Sequence, residues 1–197
     1  MEIKLLTSPA SIKDMENFAA LAALTCHANT EKKYVPHEVL GRIIKAGHES
    51  ILEHITLTYS VKGLSRACLQ ELARHRHISL SVESTRHTLK KIIASPDKVG
   101  HLYEIIPPNF HETLRETLRL IFTQSELTND ELKYYLPEFW PTNLILTSNI
   151  RELRHILTLR TNPAALNEFR VLAYSLFEAV PEDFRYLLED CVYREAE

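Results

Sequence analysis

Arg74-His75-Arg76 sets two guanidinium groups around an imidazole, and ten residues later the chain adds Ser84, Thr85 and Arg86. Guanidinium forks bind phosphate or carboxylate bidentately and cannot be deprotonated. Short hydroxyls such as Ser79, Ser81, Ser84 and Thr85 hydrogen-bond phosphate or carbonyl oxygens. From Val61 to Lys91, seven Lys and Arg stand against Glu71 and Glu83, so this window carries +5. The whole chain carries −3, which leaves −8 for the rest. Solvated faces normally mix both signs, so the window is a candidate anion site. A basic loop with a few helix-surface charges is the structural alternative, and spacing alone does not separate the two.

Two further clusters flank it. His48-Glu49 and Glu53-His54 contain metal-ligand residue types, but the histidines are six apart and position 52, where a zinc helix would need histidine, is Leu. Polar groups closing a helix-to-strand turn are the simpler reading. Arg151 and His155 are four apart and share a helix face, with Leu153, Ile156 and Leu157 on the other side. By itself that pattern is an exposed polar face. A dyad of Ser84 with His75 or His87 can be drawn, but no GxSxG elbow supports it. Gly41, Gly47, Gly63 and Gly100 cannot form a GxGxxG or P-loop motif. Any nucleotide cofactor must therefore have its phosphates held by side chains.

Taken together, the blocks resemble the flavin-dependent thymidylate synthases (the ThyX family). Arg74-His75-Arg76, seven residues, then Ser84 and Arg86 is similar to the family's RHR-x7-S signature. Gly47 to His54 before it, and Asn149 to His155 with Leu159-Arg160-Thr161 after it, stand at the family's distances. The resemblance implies an α/β fold, helix-rich with a small sheet. It also implies reductive methylation of dUMP to dTMP, with 5,10-methylenetetrahydrofolate as carbon donor and NADPH as reductant through FAD. Family members are homotetramers with shared active sites. By the same resemblance, His48, Ser50, Glu53, Arg74, His75, Arg76 and Val82 approach the flavin nucleotide, with Asn149, Arg151 and His155 as its second segment. Glu71, Arg74, Ser84, Thr85, Arg86, Lys133 and Arg160 match dUMP-binding positions. Arg160 matches the catalytic arginine that hydrogen-bonds the uracil ring, and a guanidinium beside an imide stabilises its anion. No enzyme nucleophile is required, because reduced flavin carries the hard step. Three positions depart from the family pattern: Lys133 replaces an arginine, His87 a common tyrosine and Ala164 a frequent histidine.

The elements that must position these residues follow from the hydrophobic pattern. With 197 residues, 45% hydrophobic and 25% charged, the chain reads as one soluble globular domain. Its N-terminus lacks a secretory pattern, no apolar run reaches a membrane span, and Cys26, Cys68 and Cys191 are isolated, which points to the cytoplasm. A pI near 6.4 argues against a general nucleic-acid coat. A non-catalytic nucleotide- or RNA-binding module using residues 62–91 is the competing class, and base-stacking aromatics are missing near its arginines. Helices are expected from Ser11 to His27, from Pro36 to Gly47, around Cys68 to Leu72, and across residues 114–125. Further helices are expected at 130–136, from Asn149 to Leu159, across 163–178 with Asn162 as N-cap, and from Pro181. Residues 55–62 alternate as a strand, 77–86 read as an extended loop or short strand, and 95–110 as a Pro-containing break.

Overall fold

The computed structural model describes residues 1–29, 31, 33–93, 102–104, 106–123 and 126–194. Four strands, β1 (Glu2–Leu5), β2 (Thr56–Ser65), β3 (Ile78–Val82) and β4 (Pro141–Asn149), form an antiparallel sheet ordered β1-β2-β4-β3. Around it lie α1 (Pro9–Cys26), α2 (Pro36–Lys45), α3 (Arg66–Leu72), α4 (Thr85–Ile93), α5 (His111–Thr123), α6 (Asn129–Leu132), α7 (Ile150–Arg160) and α8 (Asn167–Glu178). The fold is helix-rich with a small sheet, as expected. Residues 95–101 and 105 of the expected break, and residue 125, lie outside the described residues.

Several boundaries differ from the sequence pattern for local reasons. The first helix is capped by Ser8, whose hydroxyl accepts from the Ser11 amide, and Pro9 takes the first turn where its missing N–H costs nothing. Asn162 does not cap α8. Its side chain accepts from the Ala164 amide at 2.9 Å and closes a turn, so the helix starts at Asn167. Residues 77–86 divide into β3 and the start of α4, and the segment after Pro181 is a 3-10 turn over Glu182–Leu187. Strands β1 and β4 escape the pattern altogether. In β4 the inward set is Thr142, Leu144, Leu146 and Ser148, while Ile145 faces out, so polar and apolar residues blur the two-residue period.

The expected strand is real and longer, running to Ser65 through a bulge between Val61 and Leu64. Gly63 sits there at φ +73, a left-handed conformation that suits glycine. Asn143 of β4 accepts from the Gly63 amide through Oδ1 (3.1 Å) and donates through Nδ2 to Glu83 (2.7 Å). One side chain thus ties the bulge to the turn that delivers Ser84.

The main core buries β2 and β4 residues such as Leu57, Tyr59 and Leu146 against α7 and α8. A second cluster around Trp140, Leu89, Leu114 and Leu132 lies beneath α4, α5 and α6. The C-terminal segment is held by Arg154 of α7, which is 5% exposed. Its guanidinium donates to both oxygens of Asp190 (2.6 and 2.7 Å), to Glu49 (2.9 Å) and to the Leu187 carbonyl (2.8 Å). A bidentate fork of this kind fixes geometry as well as charge. Asp190→Ala is therefore expected to lower unfolding free energy by about 2 kcal/mol, the scale of a hydrogen bond to a charged group. The measurement is the urea midpoint at constant m-value, and an unmoved midpoint would show the half-exposed end of the pair to be screened by water.

Candidate active site

Helix α3 is capped by Ser65, whose hydroxyl accepts from the Cys68 amide and donates to Glu168 in the first turn of α8. At the other end the chain leaves α3 through a turn in which the His75 amide bonds the Leu72 carbonyl at 3.0 Å. This turn splits the basic triplet: Arg74 and Arg76 point to solvent, while His75 turns inward and is 5% exposed. Neither arginine has an ion-pair partner among the described residues.

Helix α7 follows β4 without a loop, because Asn149 ends the strand and caps the helix. Its Oδ1 accepts from the Glu152 amide at 2.8 Å. Glu152 stands in the first turn and Arg160 in the last, where the helix dipole favours each charge. Ile150, Leu153, Ile156 and Leu157 are buried, and Arg151 and His155 share the exposed face as the spacing predicts.

His75 bridges the two ends of α7. Its Nδ1 lies 3.1 Å from Glu152 Oε1, and its Nε2 accepts from Arg160 Nε at 3.1 Å. Arg160 Nη1 continues to Glu71 Oε2 at 3.0 Å. The guanidinium lies over the Phe169 ring, 4.6 Å from its centre, and His75 meets the same ring edge-on at 5.8 Å. Burial holds the His75 pKa below its ordinary 6.5; the Glu152 hydrogen bond opposes this, and Arg160 reinforces it. Nearby Cys68 is pushed up to about 12, first by burial and then by Glu168, so it stays a thiol.

His75, Glu152 and His155 place possible metal-ligand atoms within 4.8 Å of one another. Both nitrogens of His75 are already engaged, however, and the Arg160 cation sits at one of them. Glu152 and His75 therefore read as a hydrogen-bond relay to Arg160, with His155 beside it.

Beside the relay opens a cleft of about 570 Å³ that contains Glu53, His77, Asn149, Arg151, Glu152 and His155. Arg151 donates to Glu53 at 2.5 Å across it. His48 and Ser50 lie exposed at the turn preceding Glu53, and Val82 is exposed at the end of β3. Ser84 and Thr85 open α4, and Arg86 pairs with Asp130 at 2.6 Å. Lys133 lies in the 3-10 turn after α6, with its ammonium 5.6 Å from the Tyr134 ring centre. The structure thus joins Glu71, His75 and Arg160 directly, gathers Glu53, Asn149, Arg151 and His155 in the cleft, and sets Arg86 and Lys133 on the adjoining layer.

The family model described as thymidylate synthase complementing protein (Thy1) matches residues 6–190. The chain belongs to this family. Among its relatives, the flavin-dependent thymidylate synthase of Campylobacter jejuni is 41% identical over 172 residues, covering 81% of this chain and 83% of that protein. That of Wolinella succinogenes is 40% identical over 183 residues, covering 85% and 90%. The crystal structure of Helicobacter pylori thymidylate synthase X with FAD and dUMP superposes with a TM-score of 0.82 at 31% identity, covering 98% of this chain and 100% of that one. A match across nearly the whole chain favours a Thy1-family enzyme over the non-catalytic binding module.

Sequence reasoning misses Glu152 and Phe169 in this Thy1-family chain. The signal for Glu152 is its place three residues after Asn149, the spacing of a capped first turn. Phe169 carries no signal beyond helical periodicity.

The relay makes stability depend on pH. Unfolded, His75 takes up its proton near 6.5; folded, it does so only at lower pH. Between these values the unfolded chain binds more protons, so stability rises with pH and is lost as pH falls through the interval. The melting temperature should fall between about pH 7 and pH 5, the range in which histidine titrates, and less steeply in His75→Gln. Equal slopes in parent and variant would assign the loss to other groups.

Proposed function

We propose that this chain is a flavin-dependent thymidylate synthase, one catalytic domain converting dUMP to dTMP with 5,10-methylenetetrahydrofolate and NADPH. The observation that carries the reading is the Arg160 guanidinium, fixed by His75, Glu71 and Phe169 yet retaining Nη2 without a partner among the described residues. A fixed fork with spare donors suits an anion that forms during reaction, because it needs no reorganisation when the charge appears. The named relatives and the solved neighbour with FAD and dUMP support the same reaction.

The donor set fits FAD. Arg74 and Arg76 are exposed cations without ion pairs among the described residues, and Arg151, His77 and His155 border a cleft free of any glycine-rich loop. In this reading Arg74, Arg76, Arg151 and His155, with His48, Ser50, Glu53, Val82 and Asn149, hold the flavin nucleotide. When bound and reduced, the flavin supplies the hydride. Ser84, Thr85, Arg86 and Lys133 take the substrate phosphate, and Glu71 and Arg160 orient the pyrimidine. Arg160 stabilises negative charge on the ring and so favours loss of the N3 proton. Dispersal of the cations over several surfaces of one chain supports a homotetramer with shared sites, and three free cysteines suit the cytoplasm.

Three measurements test this. Arg160→Lys keeps the charge but loses the fork, and should reduce dTMP formation by about 3–4 kcal/mol, roughly a hundred- to a thousand-fold, with flavin content unchanged. An unaffected rate with only a lower melting point would make Arg160 a helix-terminal cation. FAD titration should give an affinity that weakens with salt; colourless protein with no fluorescence response would remove the flavin reading. Sedimentation should give a tetramer, and an active monomer would exclude shared sites.

A further inference from the structure

The relay contains a carboxylate, Glu152, for which the proposed reaction assigns no task. It is 8% exposed, and its side chain has one partner among the described residues, His75. A neutral imidazole carries one donor and one acceptor nitrogen, and which is which depends on its partners. Arg160 Nε–H can only donate, so Nε2 of His75 must be bare and Nδ1 must carry the proton. Glu152 is the acceptor that receives that proton. With the opposite tautomer, two N–H groups would face each other across the 3.1 Å between His75 and Arg160.

We propose that Glu152 is a positioning residue for the reaction: by accepting the Nδ1 proton it holds His75 in the tautomer whose Nε2 accepts from Arg160, and thereby sets the plane in which the guanidinium meets the pyrimidine. This rests on the function proposed above. The other contacts of Arg160 cannot set that plane alone. Glu71 takes one Nη1 donor and its side chain is 37% exposed, while Phe169 permits rotation about the axis of its ring. The bond from Nε to His75 removes that rotation. His155, whose ring centre lies 5.7 Å from that of His75, forms no hydrogen bond to it and cannot replace Glu152.

The alternative is structural: Glu152 satisfies a buried histidine and the first turn of α7, and affects stability only. Two substitutions distinguish these roles. Glu152→Gln loses the charge, but its side-chain carbonyl still accepts the Nδ1 proton and keeps the tautomer. Glu152→Ala loses both charge and acceptor.

On the FAD-loaded protein, Glu152→Ala should lower kcat for dTMP by about a hundred-fold, the scale of a misplaced reacting group, with KM for dUMP little changed. Glu152→Gln should stay within about tenfold of the parent, the difference between a charged and a neutral acceptor. His75→Gln offers an acceptor near the Nε2 position that has no tautomer to select, so adding Glu152→Ala to it should cost little more. A role confined to stability would instead lower the melting temperature and leave kcat of the folded holoprotein unchanged in both backgrounds. A readout independent of turnover is the nitrogen NMR of histidine-labelled holoprotein, which should show His75 protonated at Nδ1 in the parent and in Glu152→Gln, and Nε2–H signal in Glu152→Ala. An unchanged tautomer in Glu152→Ala, or equal losses in both backgrounds, overturns the proposal. If the parent makes no dTMP, the functional reading fails while the NMR comparison still decides the relay.

Discussion

Everything around the site depends on one buried imidazole that must donate at one nitrogen and accept at the other. His75 is almost fully enclosed, so neither nitrogen can turn to water for a partner, and an unpaired polar group there would cost more than a hydrogen bond returns. Its partners come from opposite ends of α7, Glu152 in the first turn and Arg160 in the last. The helix therefore has to lie alongside His75 at a fixed height. Asn149 sets that height by ending β4 and capping α7 in one residue, and the buried Ile150, Leu153, Ile156 and Leu157 hold the helix against the core. Phe169 completes the arrangement from α8, giving Arg160 an apolar face to lie on.

The sheet performs the corresponding task for Ser84 and Arg86, the other half of the proposed site. The bulge at Gly63 would leave backbone groups without ladder partners, and Asn143 supplies one of them while also holding Glu83. Glu83 in turn bonds through its amide to the Asn143 carbonyl at 2.8 Å, so the turn into α4 is fastened twice at one residue. The second hydrophobic cluster then fixes α4 against α5 and α6 through Leu89, Leu114 and Leu132. Ser84 and Arg86 thus ride on a different packing unit from Arg160, and β4 links the two through Asn143 at the turn into α4 and Asn149 at the start of α7.

The chemistry-bearing residues are more legible in the sequence than the way they are arranged. Charge clustering marks Arg74, Arg76 and Arg86, and the four-residue spacing places Arg151 and His155 on one face, because both signals are local. The inward turn of His75 is not local. It follows from the tertiary demand that a buried His meet Glu152 and Arg160, which lie 77 and 85 residues away. Glu152 itself looks like an ordinary helix charge, since periodicity distinguishes apolar from polar positions but not a paired buried carboxylate from a solvated one. Strand β4 is obscured by inward Thr142 and Ser148, and the start of α8 by Asn162, whose side chain bonds its own turn.

Charge counting likewise needs the structure to become an electrostatic argument. The +5 window loses Lys62 to Glu2 and Arg86 to Asp130, both partners lying outside it, while within it Glu71 is committed to Arg160. Beyond it, Glu53 answers Arg151, and Glu49 and Asp190 answer Arg154. Several acidic side chains are thus occupied in pairing arginines, while Arg74 and Arg76 stand as exposed cations beside the relay with no ion pair among the described residues. The pairs are unequal in permanence. Arg154 is buried, and breaking its contacts would strand a desolvated charge. Arg86 and Asp130 are more than half and half exposed, and such a pair contributes at most about 1 kcal/mol. A phosphate at Arg86, as the proposed site has it, would need to displace only a weak partner, whereas Arg154 stays bound to its own acids. That difference separates arginines available to a ligand from those that hold the fold.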